Sequence, residues 1–289
     1  MHCSAASSCA PTRSRSSASR SATHDDDDLR EAVMKIDIAV LSRAGGRPGN
    51  EDACGYWTSD AGCCWVLSDG AGGHGGGDVA SKLVVGTIVG EFAASPEASP
   101  ATVSSLIRRA HAVLLNEQQS EPRLRDMRAT VAMLAIDRER RIACRGHVGD
   151  SRIYGFRSGH LRFQSRDHSV MQSMIDAGIG DEAMLRRHPQ RGVLLAALGS
   201  PETVEPDVPS AGEPVRDGDV FMLCSDGLWE YVEESVMERL LAGSASAQAW
   251  LTALEAEVLA HARSGHDNYS AIAVWVGDPA EDTQIKLVG

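Results

Sequence analysis

In the first regular element of the chain, large apolar residues alternate with Asp37 and Ala39. Ile36, Ile38 and Val40 occupy every second position, and a Gly/Pro-rich turn follows at residues 45–49. This period of two predicts a β-strand that begins near residue 35. A short apolar run at residues 63–68 predicts a second, buried strand.

Apolar residues at helical spacing come next. They predict helices over residues 78–94 and 101–118, and the second helix carries one continuous apolar face. Four strands are then predicted in succession. Because the links between them are short, we expect each to be the antiparallel neighbour of the strand before it. These strands cover residues 130–136, 141–148, 152–156 and 161–164.

The last third of the chain returns to helical patterns. Residues 167–199 predict short helices and loop, followed by a strand at residues 220–224. Helices at residues 233–242 and 246–262 then precede a last strand at residues 271–276. Consecutive strands with helices grouped between them favour an α+β fold on antiparallel sheet over a regular βαβ repeat.

Composition divides the chain into three parts. Residues 1–33 are rich in Ser, Ala and Arg and include four consecutive aspartates, which predicts a disordered low-complexity tail. Residues 34–277 carry the periodic patterns, and residues 278–289 form a short C-terminal tail. The 43% hydrophobic content of the 289-residue chain is enough for a substantial core.

Charge and cysteine usage exclude several classes of function. The net charge of −12 argues against a nucleic-acid partner, which would need clustered Lys and Arg. No apolar stretch approaches the length of a membrane span, so we expect no membrane partner. Four of the seven cysteines lie in apolar runs and form no zinc-type spacing, which favours a reducing cytoplasmic location.

Two apolar runs end in the same tripeptide, Ser-Asp-Gly. The sequence places Asp69 and Gly70 after the first run and Asp226 after the second, where we expect the backbone to turn at the edge of a core. Strand ends hold carboxylates rigidly, and hard divalent cations such as Mg²⁺ and Mn²⁺ prefer oxygen ligands. A plain turn is the alternative explanation for each tripeptide alone.

Other acidic residues stand in three similar segments. Their residue types alone make them candidates to converge on a pair of cations, with Arg47 as the partner of a bound oxyanion. The structural alternatives are a capped turn at residues 51–52, an ion pair between Asp150 and Arg152, and an Asx turn at Asp267. The candidate ligands in these segments are Glu51, Asp52, Asp150 and Asp267.

The combination and order of these motifs resemble the metal-dependent protein phosphatase family, the type-2C serine/threonine phosphatases, in its bacterial form. The resemblance extends over residues 36–276. It implies a four-layer α-β-β-α sandwich of two antiparallel sheets flanked by helices. The matching motifs are Arg47 with residues 50–53, residues 69–74, residues 149–152, residues 225–229, and Asp267 with Asn268.

The same resemblance implies the roles of the site residues. Asp69 would bridge two Mn²⁺ or Mg²⁺ ions, with the Gly70 carbonyl on one and Asp226 and Asp267 on the other. Arg47 would bind the substrate phosphate, and a metal-bridging water would attack phosphoserine or phosphothreonine directly. Glu51 and Asp52 would act on the first ion or its waters, and Asp150 would join Asp267 around a third ion.

One position departs from the animal family pattern, and two rival functions accompany the resemblance. Ala71 stands where animal members carry a histidine proposed as a general acid, and we expect His74 to cap or pack the following helix instead. The rivals are a catalytically weak module that binds phosphoproteins and a stress-response phosphatase acting on an anti-sigma-factor antagonist.

The expected partners are phosphorylated proteins, substrates of a cognate Ser/Thr kinase, and we expect a monomer. Similarity at residues 167–199 adds a type VI secretion locus as one hypothesis for the setting.

Overall fold

A computed structural model describes residues 34–72 and 76–277 of this chain. The tails predicted at residues 1–33 and 278–289 therefore lie outside the described residues, and so does His74. No helix within the described ranges is long and apolar enough to cross a bilayer.

Two antiparallel sheets form the centre of the domain. The first has the strand order β1-β11-β10-β7-β8, where the strands are β1 (Ile36–Arg43), β7 (Arg152–Arg157), β8 (His160–Gln164), β10 (Val220–Cys224) and β11 (Tyr269–Val276). The second has the order β2-β3-β5-β6-β9, with β4 paired to β3. Its strands are β2 (Asp52–Thr58), β3 (Gly62–Ala71), β4 (Arg128–Ala129), β5 (Val131–Asp137), β6 (Ile142–Val148) and β9 (Glu213–Pro214).

Seven helices and a short 3₁₀ turn at Pro122–Leu124 accompany the sheets in the described residues. Helices α1 and α2 pack on the second sheet, and α7 packs on the first. Ser99 caps the start of α2 by accepting a hydrogen bond from the amide of Thr102 at 3.1 Å. The helices are α1 (Gly76–Ala94), α2 (Pro100–Ser120), α3 (Val170–Asp176), α4 (Ala183–Arg187), α5 (Asp226–Trp229), α6 (Glu234–Ala242) and α7 (Ala247–His261).

Three hydrophobic layers explain why the strands are apolar on both faces. Trp65 and Leu67 of β3 face Leu223 of β10 and Ile272 of β11 in the layer between the sheets. The alternate residues of β3, such as Val66, lie in the layer under α1 and α2. A third layer covers the outer face of the first sheet beneath α6 and α7. The α-β-β-α sandwich expected from the resemblance is therefore confirmed.

Two expectations about the strands were wrong, and one strand was not predicted at all. No sequence pattern predicted β2, although it pairs with β3 along its whole length. The first Ser-Asp-Gly does not end its strand, because β3 continues to Ala71 and pairs there with β4. The short link of residues 149–151 does not join antiparallel neighbours, since β6 belongs to the second sheet and β7 to the first.

Candidate metal centre

A cavity of about 300 Å³ opens where the ends of the two sheets meet. Asp69 comes from β3 of the second sheet, and Asp226 begins α5 directly after β10 of the first sheet. Asp150 lies in the link that crosses between the sheets, and Asp267 lies just before β11. The cavity lining also includes Arg47, Glu51 and Gly70, so the structure brings seven of the eight predicted site residues to one place.

Glycines make two of these positions possible. A Cβ atom on Gly70 would lie 2.0 Å from the carbonyl oxygen of Gly77, so only glycine lets the two backbone segments approach. Gly149 has a φ of +98°, and a Cβ atom there would lie 2.6 Å from Cγ2 of Thr130. This left-handed residue turns the chain from one sheet to the other and leaves Asp150 at the cavity.

Asp52 is the predicted site residue that does not line the cavity. It faces Asp69 across the β2–β3 ladder, but its side chain is buried, and its Oδ2 accepts a hydrogen bond from the Ser225 hydroxyl at 2.7 Å. Burial raises the pKa of Asp52 to about 6, and the negative charge of Asp267 adds to the rise. Asp52 therefore lies beneath Asp69 and is held by a serine of the second Ser-Asp-Gly tripeptide.

The carboxylates at the floor of the cavity repel one another. Burial raises the pKa of Asp69 well above its ordinary value, and Asp52, Asp226 and Asp150 raise it further. Burial and the charge of Asp150 raise the pKa of Asp226 in the same way. Burial, followed by the charge of Asp167, raises the pKa of Asp150 to about 7. Like charges at this density are costly unless a cation compensates them.

The donor set fits a hard divalent cation. Oδ1 of Asp226 is buried and has no hydrogen-bond partner among the described residues, and Oδ1 of Asp52 is in the same condition. Buried carboxylate oxygens are normally satisfied, so an unpartnered one beside other carboxylates points to a missing positive ligand. Among the described residues that line the cavity, the donors are carboxylate and carbonyl oxygens without thiolate or imidazole, which favours Mg²⁺ or Mn²⁺ over Zn²⁺ or copper.

Arg47 and Asp267 form an ion pair at the mouth of the cavity. Nη2 of Arg47 lies 2.8 Å from Oδ2 of Asp267, and each side chain is about half exposed. The neighbouring Asn268 fixes this loop, because its Oδ1 accepts from the amide of Glu51 and its Nδ2 donates to the carbonyls of Ala44 and Gly49, each at 2.8 Å. Asn268 thus ties the segment that carries Arg47 to the segment that carries Asp267.

Asp150 does not form the ion pair with Arg152 that the sequence left open. Arg152 instead makes a bidentate pair with Asp167, at 2.7 and 2.8 Å, and its guanidinium lies 3.5 Å from the Trp229 ring centroid. The Trp229 indole donates to the Asp150 carbonyl at 2.9 Å. This buried assembly joins the link that carries Asp150 to helix α5, which begins with Asp226.

Sequence reasoning missed the hydroxyl groups that support the carboxylates. The Thr130 hydroxyl accepts from the amide of Asp69 at 3.0 Å and lies 2.7 Å from the Ser151 hydroxyl. The Ser68 hydroxyl donates to the Thr130 carbonyl at 2.7 Å. The serine that precedes each Asp-Gly pair was the available signal, since both Ser68 and Ser225 make buried hydrogen bonds beneath the cavity.

The raised carboxyl pKa values predict how the metal-free protein responds to pH. Asp150 is ordinarily ionised above about pH 4 but keeps its proton in the folded state up to about pH 7. The folded state therefore binds more protons across this range, and the free energy of unfolding should fall as pH rises through it. We expect Asp150→Asn, which carries no titrating group, to become increasingly more stable than wild type between pH 5 and pH 7.

Urea unfolding in the presence of a chelator measures this difference at each pH. The control is Asp181→Asn, the same chemical change at an exposed position, which should leave the pH dependence of wild type unchanged. Parallel stability curves for wild type and Asp150→Asn would show that Asp150 ionises normally in the folded protein.

Comparison with known proteins points to one family. The family model described as "Protein phosphatase 2C" matches residues 43–261. The chain is 32% identical to the serine/threonine protein phosphatase PstP of Mycobacterium tuberculosis over 177 residues, which are 61% of this chain and only 34% of that protein. The chain therefore matches about a third of the length of this relative.

Two solved structures support the same comparison. The crystal structure of the catalytic domain of PstP in complex with two manganese ions superposes with a TM-score of 0.72 at 26% identity, covering 85% of this chain and all of that one. The structure of PppA, described as a key regulatory component of the type VI secretion system in Pseudomonas aeruginosa, gives a TM-score of 0.68 at 32% identity. That match covers 83% of this chain and 97% of PppA.

Proposed function

Since this chain belongs to the protein phosphatase 2C family, we propose that it is a metal-dependent phosphatase of phosphoserine and phosphothreonine residues in proteins. One observation carries the proposal. Carboxylates from both sheets converge at the floor of one cavity, and Oδ1 of Asp226 is buried there without a partner in the described residues. Such a site needs cations, and phosphomonoesters are a substrate class on which divalent cations act.

The proposed ligands follow the positions of the side chains. Asp69 would serve two ions, with the Gly70 carbonyl on one of them and Asp226 and Asp267 on the other. Glu51 would act on the first ion or its waters from the cavity wall, and Asp52 would support it from beneath. Asp150 and Asp267 would serve a third ion. When bound, Mn²⁺ or Mg²⁺ would supply an activated water and neutralise charge on the phosphoryl oxygens.

Arg47 is the proposed phosphate-binding residue. Its guanidinium lies at the mouth of the cavity and is about half exposed, so it can reach an incoming substrate. A planar guanidinium donates two parallel hydrogen bonds to phosphate oxygens and so fixes the orientation of the ester. The ion pair with Asp267 keeps the guanidinium beside the carboxylates before substrate binds.

The biological setting is also a proposal. We propose that the substrates are proteins phosphorylated by a cognate Ser/Thr kinase, and that the enzyme acts as a monomer in the cytoplasm. The similarity to PppA supports a role in the regulation of type VI secretion. Retention of Arg47 and of all the cavity carboxylates argues against a module that only binds phosphoproteins, because such a module has no need of the metal ligands.

Phosphate release from peptides tests the proposed function. We expect the purified chain to hydrolyse phosphothreonine and phosphoserine peptides with added Mn²⁺ or Mg²⁺, and to lose this activity after chelation. The loss should be reversed by restoring the metal. Matched phosphotyrosine peptides serve as the substrate control. No phosphate release from any phosphothreonine or phosphoserine peptide across a Mn²⁺ titration would overturn the proposal.

A further inference from the structure

A second arginine reaches the cavity from the wall beside Asp69. Arg128 belongs to β4, where it pairs directly with Ala71, and the preceding pair in the ladder joins Ala129 to Gly70. Residues that face each other across such a ladder have Cβ atoms about 5 Å apart. The Arg128 side chain lines the same cavity as Asp69, Asp226 and Asp267. Arg128 therefore belongs to the wall of the cavity that holds the proposed metal ligands.

The guanidinium of Arg128 has no acidic partner within the described residues. Its Nη1 donates to the carbonyls of Met127 at 2.8 Å and Arg125 at 3.4 Å, which leaves Nε and Nη2 without a described partner, and no carboxylate in residues 34–72 or 76–277 lies within ion-pair distance. Nearby arginines are different, because Arg123 pairs with Glu121 at 3.5 Å and Arg125 pairs with Asp126 at 3.2 Å. Arg128 thus keeps donor capacity beside an acidic cavity.

The backbone around Arg128 is held in place. Nε2 of Gln118 donates to the Met127 carbonyl at 2.8 Å and to the Gly199 carbonyl at 2.9 Å. The Gly199 amide in turn donates to Nδ1 of His111 at 3.1 Å. These hydrogen bonds hold the backbone that carries Arg128, so little ordering of the backbone is needed when an anion binds.

Arg47 and Arg128 are the two cations among the described residues that line this cavity. The proposed function needs one guanidinium for the reacting phosphate, and Arg47 serves it. We propose that Arg128 binds a second anionic group of the substrate, an acidic or phosphorylated side chain next to the phosphoresidue. This inference rests on the proposed function and adds a preference for acidic substrates to it.

The geometry limits where this anion stands in the substrate. An extended peptide advances about 3.3 Å per residue, and an arginine side chain reaches about as far as two such steps. The test therefore covers the positions one to three residues from the phosphoresidue. A carboxylate and a phosphate both match the guanidinium, and the experiment separates these two sources.

Three phosphothreonine peptides test the preference. They are identical except that the flanking positions, one to three residues on each side, carry alanine, glutamate or phosphoserine. We expect wild type to show kcat/KM values about 5- to 10-fold higher for an anionic peptide than for the alanine peptide. Arg128→Gln should bring this ratio close to one, and Arg128→Lys should retain part of it because the charge remains without the planar fork.

Arg123→Gln is the matched control, since it removes the same charge five residues away at an exposed position. It should keep the wild-type ratio, and raised salt should lower that ratio in wild type more than in Arg128→Gln. Circular dichroism and melting temperature check that each variant is folded. A higher ratio for glutamate than for phosphoserine would identify a carboxylate as the preferred anion, and the reverse would identify a second phosphate.

Two results would overturn the inference. Wild type could show no preference among the three peptides, or Arg128→Gln could slow all three peptides and p-nitrophenyl phosphate by the same factor. The second result would place Arg128 on the reacting phosphate. Failure of the proposed function appears separately, as an absence of Mn²⁺-dependent hydrolysis of p-nitrophenyl phosphate and every peptide by wild type.

Discussion

Asp226→Asn and Asp69→Asn should each lower metal-dependent phosphatase turnover by about two to three orders of magnitude or more. Asparagine has nearly the same shape as aspartate but carries no charge, so each change removes a proposed metal ligand with little effect on packing. Initial rates with a phosphothreonine peptide at saturating Mn²⁺ measure the loss. Without metal, each variant should be at least as stable as wild type, because burial and then repulsion by neighbouring aspartates raise the pKa values of both carboxyl groups, and neither acts on an uncharged amide.

Asp181→Asn provides the control for these variants, because Asp181 is exposed and lies outside the cavity lining. It should retain the wild-type rate and the wild-type rise in melting temperature on addition of Mn²⁺. Asp226→Asn should lose most of that rise. If both cavity variants turned over phosphopeptide at the wild-type rate, the assignment of the metal ligands would be wrong.

Arg152→Met should destabilise the protein by about 3 to 5 kcal/mol, because it leaves the Asp167 carboxylate buried without its partner. The two side chains form a bidentate pair at 2.7 and 2.8 Å, and each is only 2% exposed. Methionine fills a similar volume, so the loss reports the unpaired charge more than a cavity. Urea unfolding at constant Mn²⁺ measures the change in the free energy of unfolding.

Two further variants separate the charge effect from packing. Adding Asp167→Leu to Arg152→Met should recover a large part of the lost stability, since no unpaired charge then remains. Arg125→Met breaks an exposed pair with Asp126 and should cost less than about 1 kcal/mol. If Arg152→Met lowered the free energy of unfolding no more than Arg125→Met, the buried Arg152–Asp167 pair would not stabilise the link that carries Asp150.

The fold could be predicted in large part because its strands carry clear local patterns. The regular alternation of Ile36, Ile38 and Val40 predicted β1, and the run at residues 63–68 predicted most of β3. By contrast, β2 contains Gly55 and Cys54 within an irregular pattern, and pairing along β3 determines its conformation. Local propensity cannot detect a strand that its neighbour imposes.

The crossover at residues 149–151 could not be predicted for a related reason. A three-residue link normally joins antiparallel neighbours, and only the tertiary packing of Gly149 against Thr130 shows that this one passes between sheets. The partner of Arg152 was hidden in the same way, because Asp167 lies 15 residues away in sequence and meets the arginine only in the folded protein.

The candidate site was predictable where a residue type and its strand position together indicated chemistry. Asp69, Asp226 and Asp267 lie at the cavity as the motifs implied. Glu51 lines the cavity and Asp52 does not, because adjacent residues at the start of a strand point to opposite sides. This difference could not be predicted, because β2 itself was not predicted. Arg128 was also missed, since it is one of many arginines and only the β3–β4 register places it beside Gly70.

One titration tests the central claim most directly, namely that the cavity carboxylates bind the cations on which phosphatase activity depends. Mn²⁺ is added stepwise to metal-free wild type and to Asp69→Asn, and both the bound Mn²⁺ per chain and phosphate release from a phosphothreonine peptide are recorded. We predict that wild type binds at least two ions and that its activity rises with their occupancy, whereas Asp69→Asn binds fewer ions and remains inactive. Full activity of metal-free wild type, or equal Mn²⁺ binding and activity in the variant, would contradict the account.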